Sequence, residues 1–180
     1  MKHIHIFSTF ALLFIIQLTS CTKDDPPPVN EEEVIDRVVI ELTNNSTNEQ
    51  STYTWNEGDT GLAISLSEGA TYRASVSFLN ATNPADIEDV TEEVREEADD
   101  HFVFYEIGSA AQLAISSSSN DTRDSDNQAI GLHTTWEAKA TGETLVRLYL
   151  IHEPDNKQGT TRNGIGGETD AQIDLNITIG

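Results

Sequence analysis

The chain has 180 residues, with 31 acidic and 10 basic side chains, one cysteine and a net charge of −21. That charge argues against a nucleic-acid binder, which needs clustered Lys and Arg against phosphate, and a single Cys excludes an internal disulfide framework. The length accommodates about one domain, and 37% hydrophobic with 7% aromatic residues supplies a modest core.

The first predicted element is an export signal over residues 1–20. Lys2, flanked by His3 and His5, makes a basic start, and Phe10–Ile16 is an apolar run too short to cross a hydrocarbon layer of about 30 Å as a helix. Leu18-Thr19-Ser20-Cys21 follows and resembles the lipobox of bacterial lipoproteins, which implies that Cys21 is lipidated and becomes the mature N-terminus. A lipidated Cys21 explains the lone cysteine without redox or nucleophilic chemistry. Thr22-Lys23-Asp24-Asp25 resembles the signal that sends Bacteroidota lipoproteins to the outer face of the outer membrane. Pro26–Pro28 form an extended spacer, so residues 21–33 read as a tether. Cleavage before Cys21 removes Lys2 and no acid, taking the charge from −21 to −22. An anionic membrane surface repels such a domain, leaving the lipid as its anchor.

From Val34 to the C-terminus the pattern has period two and predicts one all-β domain over residues 34–180. Val34, Asp36, Val38, Ile40 and Leu42 alternate with Ile35, Arg37, Val39 and Glu41, as a strand does. Asn44–Asn48 is a turn by composition. Short strands are predicted at Thr52–Trp55 and Leu62–Leu66, and a longer one at Ala70–Leu79, where Tyr72, Ala74, Val76 and Phe78 share a face. Ile87, Val90, Val94 and Ala98 recur at helical spacing and predict an acidic helix over 87–98, capped by Asp86 or Asp89. Strands follow at His101–Ile107, Gln112–Ser116, Ala129–Ala138, Glu143–His152 and Asp170–Ile179, separated by a polar loop over 116–127 and a Gly-rich one over 154–168. Eight or nine strands without βα alternation predict an antiparallel β-sandwich, Greek-key and immunoglobulin-like, with one short acidic helix inserted.

Several segments together resemble a family of small Bacteroidota outer-membrane lipoproteins. They are Cys21-Thr-Lys-Asp-Asp25 with Asn30–Ile35, the acidic helix leading into His101-Phe102, Leu148–Asp155, and Gly166–Asp170. Members are often labelled type 1 periplasmic-binding-fold proteins; that label implies two α/β lobes, whereas this chain is short and strand-rich. The resemblance also implies a role beside TonB-dependent receptors of the outer membrane, in nutrient or metal capture.

Three histidines follow the signal: His101, His133 and His152. Glu97 precedes His101 by four residues and Glu93 lies one turn earlier, so a helix reaching that far presents carboxylate and imidazole on one face. His152 ends a strand and is followed by Glu153 and Asp155. If His101 and His152 meet at one rim, His101, His152, Glu97 and Glu153 form a His₂-carboxylate site for Zn²⁺. The alternative is two scaffold residues, one at a helix end and one at the core edge, since no HExxH spacing is present. Ca²⁺ is the second candidate ion, with Asp121, Asp124, Asp126 and Asn127 in one loop and Asp155, Glu168 and Asp170 near another. The loop lacks the glycine that an EF-hand needs. His133 alternates away from Ile130, Leu132 and Trp136 and is expected at the surface, as is Tyr149.

Catalytic readings find less. Ser116–Ser119 has no GxSxG context, Gly164–Gly167 no following lysine and no strand-to-helix setting, and no carboxylate pair stands out. The sequence therefore points to a lipid-anchored surface protein that acts by binding. It is either a metal-capturing accessory of an uptake receptor or a structural, adhesive module, with a surface hydrolase as the third reading.

Overall fold

The computed structural model describes residues 33–180. The expected signal peptide, Cys21 and all but the last residue of the tether lie outside them. Strand β1 (Arg37–Asn44) buries Val38, Ile40 and Leu42, every second residue, because a β-branched run satisfies its backbone in a sheet while turning alternate side chains inward. It pairs antiparallel with β2 (Gln50–Asn56). The intervening turn is set by Asn44, whose side-chain oxygen accepts from the Ser46 and Thr47 N–H groups. On its other side β1 pairs with β4 (Thr71–Asn80), which buries Tyr72, Ala74, Val76 and Phe78 as the alternation predicts.

Among the described residues ten strands form two sheets. The six-stranded sheet runs β2-β1-β4-β8-β7, with the two-residue β5 (Glu88–Asp89) also on β4; β7 is Leu113–Ser117 and β8 is His133–Ala138. The four-stranded sheet runs β3-β10-β9-β6, from Leu62–Leu66, Glu168–Ile179, Gly142–His152 and His101–Ile107. Both sheets turn alternate residues into one shared core that contains Trp136, Phe78, Leu148 and Leu175. Pairing is antiparallel except between β3 and β10, which run parallel. This departs from the fully antiparallel expectation: β3 lies in the other sheet from β2, so the chain crosses over instead of returning as a hairpin, and a crossover permits either direction.

The acidic insert is shorter than its periodicity predicts. Glu88 and Asp89 are extended and pair with Asn80 and Leu79, so helix α1 begins only at Val90 and ends at Glu96. Ile87 is consequently 47% exposed, while Val90, Val94 and Ala98 are buried. Asp89 caps the helix by accepting from the Thr91 N–H. The fully buried Thr91 does a strand's work with its side chain: Oγ1 accepts from the Phe78 N–H at 2.9 Å and donates to the Phe78 carbonyl at 3.2 Å. Thr91→Val keeps the shape and strands both backbone groups, so a loss of about 1–3 kcal/mol is expected in urea denaturation. An unchanged midpoint would show that water reaches Phe78 instead.

A second, smaller cluster lies on the outer face of the four-stranded sheet. Helix α2 (Arg162–Ile165), inside the segment expected to be loop, lays Ile165 over Tyr149 and Ile151, with Phe102 and Phe104 beside them. Tyr149 is therefore 6% exposed, against the expectation of an exposed ring, and the Arg162 guanidinium stands 6.0 Å from its ring centroid. His133 is half-buried rather than exposed, and its backbone N–H donates to the Asp121 carboxylate at 2.8 Å. Among the described residues no helix is long and apolar enough to cross a membrane.

Candidate metal centre

The register of two neighbouring strands builds the centre of the site. β6 begins at His101 and β9 ends at His152, and the two are direct antiparallel partners. Paired residues share a sheet face, so the imidazoles stack with centroids 4.9 Å apart and planes inclined by 14°. His101 is fully buried and His152 is 8% exposed. The helix does not reach His101, as the sequence reading required for a shared helix face; it ends at Glu96, and residues 97–100 turn the chain into β6. That turn nevertheless brings Glu97 to His101. The Glu97 carbonyl accepts from the His101 backbone N–H at 3.1 Å and lies 3.1 Å from His101 Nδ1.

This contact determines the chemistry of the ring. A carbonyl can only accept, so Nδ1 carries a proton, and Nε2 is left facing the Glu33 carboxylate, whose Oε1 is 3.1 Å away. A neutral ring would aim a lone pair at an anion there. A proton or a metal cation between the two atoms removes that clash. The Glu97 carboxylate completes the group: its oxygen, Glu33 Oε and a His101 ring nitrogen all lie within 4.8 Å of one another. A tetrahedral ion with bonds of about 2.0 Å separates its ligand atoms by about 3.3 Å. The observed His101–Glu33 distance already matches that edge, and the exposed Glu97 side chain has the rotamer freedom to close in.

The surrounding charge is negative. Glu93 on α1 is held above the usual carboxylate range by partial burial and then by Glu33, Glu97 and Glu88, with His101 opposing. Asp170 on β10 is pushed up to about 6, chiefly by burial and next by Glu33; His152 and His101 pull the other way, and Glu168 adds to the rise. Carboxylates that repel one another in this way favour a bound cation.

The expected site residues are thus distributed unequally. His101 and Glu97 fall in the three-ligand group. His152 stacks beside it, and two parallel rings 4.9 Å apart do not aim their in-plane lone pairs at one ion. Glu153 is exposed, with φ of 46°, and contributes its backbone N–H to the Asp100 carbonyl. Glu33, which the sequence places at the last position of the tether, carried no local signal; it lies 68 residues from His101 and is brought there by the chain entering β1.

In the first of the calcium loops Asp121 and Asp124 are otherwise engaged. Both oxygens of Asp121 accept backbone N–H groups, from Gly131 and His133. Asp124 is held by Lys157 and the Gln128 N–H, and Asp126 and Asn127 are exposed. Among the described residues Glu33, Glu97 and His101 form the one close group of possible metal ligands. The Gly164–Gly167 run closes a corner instead of cradling a phosphate: a Cβ on Gly167, at φ of 71°, would meet the His152 carbonyl oxygen at 2.4 Å. That close approach seats the start of β10 against the histidine end of β9. No family model, curated protein or solved structure matches this chain.

Proposed function

We propose that this protein is a lipoprotein, anchored through Cys21 to the outer membrane and facing the cell exterior, that captures a divalent cation. It works beside an outer-membrane TonB-dependent uptake receptor and acts by binding, without catalysis. The observation that carries the reading is the fixed His101 ring, whose Nδ1 lies 3.1 Å from the Glu97 carbonyl and whose Nε2 lies 3.1 Å from Glu33 Oε1, with the Glu97 carboxylate in the same group. The imidazole favours Zn²⁺ or a similar transition ion over Ca²⁺, which takes oxygen ligands. The acidic surface concentrates cations around the site. Within this reading the two sheets form a Greek-key, immunoglobulin-like sandwich, supported by alternate burial on both sheets and by repeated chain crossings between them.

Calorimetric titration of the full chain in detergent with Zn²⁺ and Ca²⁺, after elemental analysis, tests the proposal. One Zn²⁺ per chain is expected, bound in the micromolar range or tighter and lost in Glu33→Gln and in His101→Ala. Weak, multi-site uptake unaltered by these substitutions would leave an acidic surface module of structural or adhesive use.

A further inference from the structure

The serine run that closes β7 leaves space beside a sheet edge. β7 is the last strand of the six-stranded sheet and β6 the last of the four-stranded one, with residues 108–112 connecting them. Ser116 and Ser117 end β7, and side chains so small do not fill the gap between the two edges. A cavity of about 410 Å³ lies there, within the range of small-ligand sites, about 300–1,000 Å³. It shares no lining residue with the Glu33–Glu97–His101 group.

Backbone parity decides what the two edges offer. Val103 turns its N–H away from β9, to the Ile130 carbonyl at 2.7 Å, whereas Gly108 donates across to the Leu145 carbonyl of β9 at 2.8 Å. Alternation then turns the backbone of Tyr105, like that of Val103, away from β9 and toward the gap. The Ser118 N–H bonds the His133 carbonyl of β8, so the backbone of Ser117 faces the gap from the other side. Phe102, Phe104 and Tyr105 line the β6 wall. Tyr105 is fixed edge-on to Trp136 and by its hydroxyl, which donates to the Gly131 carbonyl at 3.2 Å. Phe102 and Phe104 are half-buried, with ring centroids 6.4 Å apart. Two further lining residues, Gln128 and Lys157, keep hydrogen-bonding capacity in reserve. Gln128 engages Asp124 through its backbone N–H and carbonyl, which leaves its side-chain amide for a ligand. Lys157 Nζ spends two of its three N–H groups, on Asp124 and on the Ala98 carbonyl, and the side chain is 7% exposed.

We propose that this cavity is a second binding site, independent of cation capture, and that its ligand is a neutral sugar ring such as the terminal pyranose of a glycan. A pyranose packs its C–H faces on aromatic residues, while the hydroxyls around its rim both donate and accept. The cavity meets it with the β6 aromatics, the Gln128 amide, the Ser117 hydroxyl, the remaining Lys157 N–H and the open backbone of Tyr105, the mixture of apolar lining and few polar groups that orients a small ligand. Charge selects a neutral ligand over an anion. Lys157 is the one charged side chain among the lining residues and is already neutralised by Asp124, and a chain of net charge −21 repels anions. An added peptide strand fits less well. With Val103 already paired to Ile130, Tyr105 and Ile107 are the positions of β6 left to face it, against a usual strand of about five to six residues.

Saturation-transfer NMR and calorimetry of the full chain, in a zwitterionic detergent free of sugar, test the site with the methyl glycosides of glucose, galactose, mannose and N-acetylglucosamine. At least one should bind, in roughly the millimolar range that a ligand of about a dozen non-hydrogen atoms reaches. Ser117→Trp fills the cavity from an exposed position; it should keep the thermal midpoint within about 3 °C of wild type and abolish binding. Gln128→Leu should weaken binding about tenfold, the effect of a hydrogen bond left unmade. The uronic-acid form of the bound sugar, which carries a C6 carboxylate, should bind less well than the neutral form. Glu33→Gln should leave sugar binding unchanged, which separates this site from the metal centre. No binding by any of the four glycosides, or binding unaltered in both cavity variants, overturns the proposal. Tighter binding of the uronic acid overturns the neutral ligand, and binding of an alternating threonine–valine octapeptide in place of the sugars reassigns the cavity to strand addition.

Discussion

Lys157→Met is expected to lower the unfolding free energy by about 3 kcal/mol, the low end of what breaking a buried pair costs. Lys157 Nζ donates to Asp124 Oδ2 at 3.0 Å and to the Ala98 carbonyl at 2.6 Å, and the two side chains are 7% and 5% exposed. Truncating the lysine leaves a carboxylate buried without its cation, so the double variant Lys157→Met/Asp124→Leu should recover much of the loss. Acid should reveal the same pair. Burial alone would raise the Asp124 carboxyl, but the Lys157 ammonium and the N–H groups of Gln128 and Asp126 outweigh it and hold the group below its usual range. A carboxyl lowered in the folded state contributes stability that is present above its unfolded value of about 4 and is lost as pH falls through the folded one. Urea titrations at pH 7 and pH 3 should therefore differ more for wild type than for the double variant. A single variant within 0.5 kcal/mol of wild type at pH 7, the size of an ordinary surface change (about ±0.5), would mean that water already serves the pair. Because Ala98 follows Glu97 in the turn that carries it to His101, Lys157→Met should also weaken metal binding.

Trp136→Ala should cost about 3–5 kcal/mol, the range for truncating a buried aromatic ring. The ring is fully buried, packs edge-on against Tyr105 with centroids 6.0 Å apart and planes at 80°, and donates from Nε1 to Thr134 Oγ1 at 2.9 Å. It lies between Tyr72 of β4 and Ile115 of β7 in the six-stranded sheet, while Tyr105 belongs to β6 in the other. Losing the indole therefore opens a void between the sheets and also leaves Thr134 without its donor. Trp136→Phe retains most of the volume and should cost less. Guanidinium denaturation followed by far-ultraviolet dichroism measures both, and near-equal losses for Ala and Phe would assign the effect to the Thr134 hydrogen bond in place of the cavity. With Trp136 gone, the emission that remains comes from the half-buried Trp55 and should shift to longer wavelength.

These two positions hold elements that carry the candidate centre. Lys157 fixes the turn that delivers Glu97 and His101, and Trp136 fixes the packing behind β6. The site itself is assembled where the last residue of β9 meets the first of β6, with His101 fully buried and Glu97 exposed. There a charged group can be dehydrated on one side and still reached from the other, which is the usual condition for a perturbed and useful carboxylate.

Alternation along Val38–Leu42 and Tyr72–Phe78 determined by itself which residues enter the core, because period two is a local property of extended backbone and apolar side chains have one favourable face. The same locality made Glu97 and His101 legible as neighbours, although they meet through a turn and not through the helical face that their spacing suggests. Tertiary structure alone decided the rest. Ile87 is exposed because Glu88 and Asp89 pair with a distant strand, and Tyr149 is covered because α2 folds over it. Glu33 reaches His101 across 68 residues, and Asp170 falls out of the ladder because β10 takes in one residue too many for its partner. Register, bulges and long-range closure are set by which strands end up side by side, and no window of sequence a few residues wide contains that information.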